Sequence, residues 1–130
     1  MKLNEQNYVD EAEKVILGLV NLKGRNGKSI PIVTTSKLRN LLAMTADIYN
    51  QILNQHEERL STDICSRIEY LRVRFLYEAG RDDGVKNLAE SAKIIDILKE
   101  IGGSRGKYIL FSRYMEALVA FRKYHGGKDL

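Results

Sequence analysis

Apolar residues recur along this chain at intervals of three and four, and nowhere do they alternate with the two-residue period of a strand. Between Glu5 and Val20, the residues Tyr8, Ala12, Val15, Ile16 and Leu19 fall on one side of a helix. The segment LKGRNGKSIPIV, Leu22 to Val33, interrupts the pattern with Gly24, Gly27 and Pro31 and reads as a flexible basic loop. A second helix is predicted from about Ser36 to Asn54, with Leu38, Leu41, Leu42, Thr45, Ile48, Tyr49, Ile52 and Leu53 in one stripe. Ser61 or Thr62 can cap a third, which ends near Gly80. A fourth runs from about Asp83 to Ile101 and stops at Gly102-Gly103, and Ser104 caps a fifth that reaches Tyr124. The expected fold is all-α, a single-domain bundle of about five helices over residues 1–130, without internal repeats.

The hydrophobic fraction, 44% of 130 residues, suits one domain with a genuine core. Apolar runs stay near five residues, as in ALVAF from Ala117, and Met1 to Asp10 has no secretory hydrophobic region. The lone Cys65 cannot form an internal disulfide, so the expected setting is reducing and cytoplasmic, with no membrane partner. The net charge of +4 is unevenly spread. Leu22 to Ala46 holds five basic residues and no acid, and Ser104 to Leu130 holds six against Glu116 and Asp129. Such asymmetry suits a polyanionic partner, although a solvated surface gives the same pattern.

Catalytic chemistry is hard to find. The Gly-Lys-Ser of the basic loop suggests a phosphate loop, but that motif needs Gly where Leu22 stands, a preceding strand and an unbroken helix after it. His56, His125 and Cys65 fall in different elements without ligand spacing, so no metal and no cofactor is expected. Both histidines read as surface side chains near helix ends, and Cys65 as a small apolar residue. Asp82-Asp83 stands where a helix start favours negative charge. No nucleophile elbow is present, and no enzyme is expected.

The third helix offers more. Ile64, Ile68, Leu71, Phe75 and Ala79 share its core face. Arg67, Arg74 and Arg81 are seven apart and form a stripe drifting about 20° per step, with Tyr70 and Tyr77 beside it. Guanidinium groups flanked by phenols suit a nucleic-acid strand, with Arg on phosphate and Tyr on a base or ribose. The competing reading pairs Arg74 and Arg81 with Glu78 and packs the tyrosines on a neighbouring helix. Arg72 projects near the apolar face, where its stem can cover the core edge or its head can pair with a carboxylate across the bundle.

The fifth helix is apolar over half its circumference, which marks either the centre of its own bundle or a contact with another chain. Arg122 lies within this apolar sector and Arg113 and Lys123 outside it, and they are expected to give the exposed side of the helix a basic character. The second helix opens as TTSKLRNLL, Thr34 to Leu42, with Lys37 and Arg39 at its positive end, each opposed by the helix dipole by up to roughly 1 kcal/mol. With the free N–H groups there, these cations would form a phosphate receptor. They lie about 160° apart around the axis, so they would meet successive phosphates, or one of them would serve structure.

Three stretches together resemble the small subunit of the type III-A CRISPR effector, the Csm complex: TTSKLRNLL, YLRVRFLYEAGR (Tyr70 to Arg81) and RYMEALVAFRKYHGGKD (Arg113 to Asp129). YVDEAEK near the N-terminus is also similar to that family, and the loop from Leu22 to Val33 is the least similar part. The resemblance implies a small helical protein without activity of its own. Several copies would stack beside backbone subunits that hold the CRISPR RNA, and would help hold the target RNA paired with it. Cutting would belong to the backbone and large subunits. On this resemblance Lys37, Arg39, Arg67, Arg74 and Arg81 are carried into RNA contact. Two rivals are a free-standing helix-turn-helix DNA regulator and an adaptor that binds only protein. The helix after Gly80–Asp83 offers Lys86, Asn87 and Glu90 amid acids, which suits DNA poorly.

Overall fold

A computed structural model of the chain describes residues 2–21 and 32–126; most of the basic loop and the last four residues lie outside this range. Six α-helices follow one another: α1 (Tyr8–Val20), α2 (Thr35–Ile52), α3 (Thr62–Arg81), α4 (Asp83–Ser91), α5 (Ile94–Glu100) and α6 (Arg105–Phe121). A π-helical turn, Arg122–Gly126, extends α6. No strand occurs among the described residues, only an isolated bridge between Arg59 and Ser104.

Caps set most of the starts. The hydroxyls of Thr34, Ser61 and Ser104 accept from the backbone N–H groups of Lys37, Ile64 and Lys107, each at 3.2 Å. Asp82 stands alone between α3 and α4, extended at φ −142°, and its carboxylate caps α4 by accepting from Val85 N at 2.9 Å.

The expected fourth helix is two, α4 and α5, broken at Lys93, which adopts φ 58°. The reason lies in the apolar register. An unbroken helix carrying Val85, Leu88, Ala89 and Ala92 inward would next bury Asp96 and Lys99 and turn Ile94, Leu98 and Ile101 about 180° away. The break rotates the chain, so that Ile94, Leu98 and Ile101 are also buried.

Helix α6 is the centre of the bundle and packs most extensively on α1 and α2. Tyr108, Phe111, Tyr114, Met115 and Leu118 are fully enclosed. The Tyr108 hydroxyl donates to Thr45 O at 2.7 Å, and the Tyr114 hydroxyl to Ala92 O at 3.2 Å. These two bonds tie α6 to α2 and to the α4–α5 junction. Burial pushes both phenols up in pKa, Tyr114 to about 12.

Arg122 is buried, as its place within the apolar sector of the helix suggests, and so adds nothing to an exposed basic side; its Nε donates to Val33 O at 2.8 Å. Val33 thereby joins the core at the entry to α2. The same segment lies so close to α4 that a Cβ on Gly84 would sit 2.8 Å from Val33 N.

Candidate nucleic-acid interface

Helix α3 packs on α2, α4 and α5, and buries Ile64, Ile68, Leu71 and Phe75. The helical period then forces its other residues outward. Tyr70 is 63% exposed, and Val73, Leu76 and Tyr77 each expose more than half their surface. The tyrosines therefore do not pack on a neighbouring helix.

All three predicted arginines share this outward side, and each meets a carboxylate on its own helix. Arg67 Nε lies 3.2 Å from Asp63, while Arg74 and Arg81 approach the same Glu78 carboxylate at 3.5 and 3.7 Å. The Tyr77 ring sits between the last two, with guanidinium carbons 5.4 and 5.3 Å from its centroid. It attracts both through weak cation–π contacts, about 0.5–1 kcal/mol each at an exposed site. Exposed pairs three or four residues apart contribute only about 0.2–0.5 kcal/mol, so a phosphate can displace these carboxylates at small cost.

Between α2 and α3 runs an open groove of about 560 Å³, lined on the α3 side by Arg67, Tyr70 and Arg74. The α2 side supplies Met44, Asp47 and Gln51. These α2 residues were not singled out from sequence, although their spacing places them on one helical face. The groove thus has an aromatic and apolar wall, a cationic edge and a carboxylate at Asp47. It can accept a flat ring beside Tyr70 with an anion at Arg67 or Arg74.

Lys37 and Arg39 part company. The Lys37 ammonium donates to the Asp82 carboxylate across the α2–α4 junction. That bond, followed by the Val85 N–H, holds the Asp82 carboxyl below the ordinary carboxylate range. The cation at the start of α2 therefore meets the residue that caps α4. Arg39 is exposed and makes no ion pair among the described residues.

Other charged residues are structural. Arg72 pairs at 2.7 Å with Glu69 on its own helix, not across the bundle. Glu58, not singled out from sequence, accepts from the Ser104 hydroxyl at 2.6 Å and from Gly106 N at 3.3 Å. The Ser104 bond first, then the Gly106 N–H and the charge of Arg105, lower the Glu58 pKa. His125 meets Glu13 at 2.8 Å and stacks on Phe121. Among the described residues no group of three His, Cys, Asp or Glu side chains could hold a metal ion. No described helix is long and apolar enough to cross a membrane.

The fold and site define a small all-α bundle around a single apolar core, with an outward row of guanidinium groups on α3. Comparison with known proteins narrows the class. The family model described as Csm2 Type III-A matches residues 13–128. The chain is 42% identical over 127 residues to the "CRISPR system Cms protein Csm2" of Streptococcus thermophilus, covering 98% of both chains. It is 40% identical over 129 residues to the protein of that name from Mycobacterium tuberculosis, covering 99% of both. A third relative, from Enterococcus italicus, is 31% identical over 131 residues, covering 95% of this chain and 93% of the other. The chain belongs to the Csm2 type III-A family, the small subunits of the type III-A CRISPR Csm complex.

Proposed function

We propose that this protein is a non-catalytic RNA-binding subunit of a type III-A interference complex. Several copies stack within the complex and hold guide and target RNA through phosphate contacts in antiviral defence. The observation that carries this reading is the row of Arg67, Arg74 and Arg81 on the outward side of α3, next to the exposed Tyr70. Guanidinium groups on successive helical turns suit successive phosphates, and phosphate contacts are indifferent to sequence, as a guide-programmed complex requires. Arg39 adds an exposed cation on α2, while Lys37 reaches RNA in this reading only by exchanging its Asp82 carboxylate for a phosphate.

In this reading the partners are CRISPR RNA, target RNA, the backbone and large Csm subunits, and further copies of the chain. Working in solution between other subunits, the protein needs neither cofactor nor membrane, and its place is the cytoplasm. A DNA regulator fits less well: α4, the helix that would have to read bases, presents Asp83, Lys86 and Glu90 in alternating sign.

The test measures binding of a single-stranded RNA to the purified chain across a salt series. Each phosphate contact contributes about 0.7 to the slope of log K against log salt. The triple variant Arg67→Ala, Arg74→Ala, Arg81→Ala should bind at least roughly tenfold more weakly, with a shallower slope. An unchanged slope in that variant would overturn the reading.

A further inference from the structure

The α2–α3 groove carries a group that a row of phosphate contacts does not need. Asp47 lines its α2 side, exposed and without an ion pair among the described residues. Against phosphates alone, a carboxylate there only repels. Met44, Asp47 and Gln51 follow at intervals of three and four, so one side of α2 brings an apolar group, an acceptor and a carboxamide to the groove.

The α3 side brings different chemistry. The Tyr70 ring is exposed and makes no aromatic or cation–π contact among the described residues, so a face is open to stacking. Arg67 meets Asp63 through Nε, and its two Nη groups make no hydrogen bond among the described residues. They can take a phosphate oxygen while that pair stays intact. A nucleotide carries the complement of all three groups: a phosphate for the cation, a flat base for the ring and N–H donors for the acid. The groove, at about 560 Å³, lies within the roughly 300–1,000 Å³ of small-molecule sites.

The acid decides which base fits. An ionised carboxylate only accepts hydrogen bonds, and its two oxygens can accept a pair side by side. Among the four RNA bases, guanine alone offers two adjacent donors on one edge, N1–H and the N2 amino group. Uracil sets a single donor between two carbonyls, and adenine and cytosine set an acceptor beside their amino group. We propose that the α2–α3 groove holds one unpaired guanine of a bound RNA, stacked on Tyr70, with N1–H and N2–H donating to Asp47 and its phosphate on Arg67. The inference rests on the RNA-binding reading above and adds a base-reading site to it. A guanine paired with a guide has this edge occupied and stays out, so the choice of target is left to pairing.

The test compares two labelled single-stranded RNAs on the purified full chain by fluorescence anisotropy: an octamer of uridine, and the same octamer with one central guanosine. The guanosine RNA should bind roughly tenfold more tightly. Inosine in that place lacks the N2 amino group and should lose most of the gain, whereas 7-deazaguanosine keeps both donors and should retain it. Asp47→Asn should bring the ratio of the two affinities to about one. Mere removal of a negative charge would shift both RNAs alike and leave the ratio standing. Tyr70→Ala should weaken both RNAs about tenfold, because any base can stack, and Tyr70→Phe should bind as the wild type does. Both positions are exposed, and circular dichroism checks that the variants remain folded.

Equal binding of the two RNAs by the wild type overturns the proposal. A guanosine preference that survives Asp47→Asn, or a Tyr70→Ala variant that binds as tightly as the wild type, overturns it equally. The functional reading keeps its own readout in the salt slope of the arginine triple variant. Equal binding with an arginine-dependent slope sinks this inference alone. An Asp47-dependent preference with a slope that the arginines do not set sinks the phosphate reading alone, and a chain that binds neither RNA sinks both.

Discussion

Gly84 holds two parts of the chain together by having no side chain. A Cβ there would lie 2.8 to 2.9 Å from Val33 N, Ile32 C and Val33 Cα, all backbone atoms that cannot swing aside. Gly84→Ala should therefore cost about 1–3 kcal/mol, read as a lower urea midpoint with an unchanged slope. Asp82 and Glu58 work through charge. Both carboxyls sit below their ordinary pKa in the folded chain, Asp82 chiefly through Lys37 and Glu58 chiefly through Ser104. A carboxyl depressed on folding stabilises the fold above its unfolded pKa, and that stability is lost as pH falls through the folded pKa. Thermal midpoints should thus fall as the solution is acidified from roughly pH 4 downward. The variant carrying both Asp82→Asn and Glu58→Gln should start lower at neutral pH and show a flatter acid limb. The one-letter pattern suggested helix-start charge at Asp82, but not its bond to Lys37, which joins residues 45 positions apart.

At the scale of elements, the α4–α5 break shows how apolar register overrides a continuous helical pattern. Lys93 adopts a left-handed conformation to make the turn, a cost of roughly 1–2 kcal/mol for a residue with a Cβ. Lys93→Gly relieves that strain and should raise stability by about 0.5–1 kcal/mol in calorimetry, whereas a β-branched residue there should lower it. The expectation of one helix from Asp83 to Ile101 missed this because the run Ile94, Ile95, Ile97 and Leu98 is apolar on several sides and holds no Gly or Pro to mark a break. The missed signal was that one register buries Asp96 and Lys99. Helix α3, by contrast, was legible in large part. Its core face and outward arginines follow from one period, and Ser61 is the cap of the two candidates Ser61 and Thr62. The helix runs through Gly80 to Arg81, where an end near Gly80 was expected.

For the molecule as a whole, α6 supplies the common floor on which α1 and α2 rest. Phe111 is fully buried there, with its ring centroid 6.3 Å from Phe75 of α3 and 5.9 Å from Tyr108. Phe111→Ala should cost about 3–5 kcal/mol, a large part of the stability of so small a domain, and equilibrium denaturation would show it. Truncation to Ala at an exposed position such as Val73 leaves no cavity and should cost far less. This contrast separates the core from the outward side of α3, whose residues are kept for contact with other molecules in the reading given above.

Sequence by itself determined the helices other than the α4–α5 break, candidates for most of their caps and which side of each long helix must be buried, because these follow from patterns within short stretches. It also gave the family, through motifs spread over nearly the whole chain. Only the tertiary structure decided the fate of individual charges. Two cations of the basic segments ended differently, Arg122 buried against Val33 and Arg39 left in solvent; the apolar sector around Arg122 hinted at burial, but not at the Val33 carbonyl it would meet. Lys37 found Asp82, and the α2–α3 groove took shape, only when distant helices met. A charge's role depends on what stands within a few ångströms of it, and that neighbour is set by packing between segments far apart in the chain.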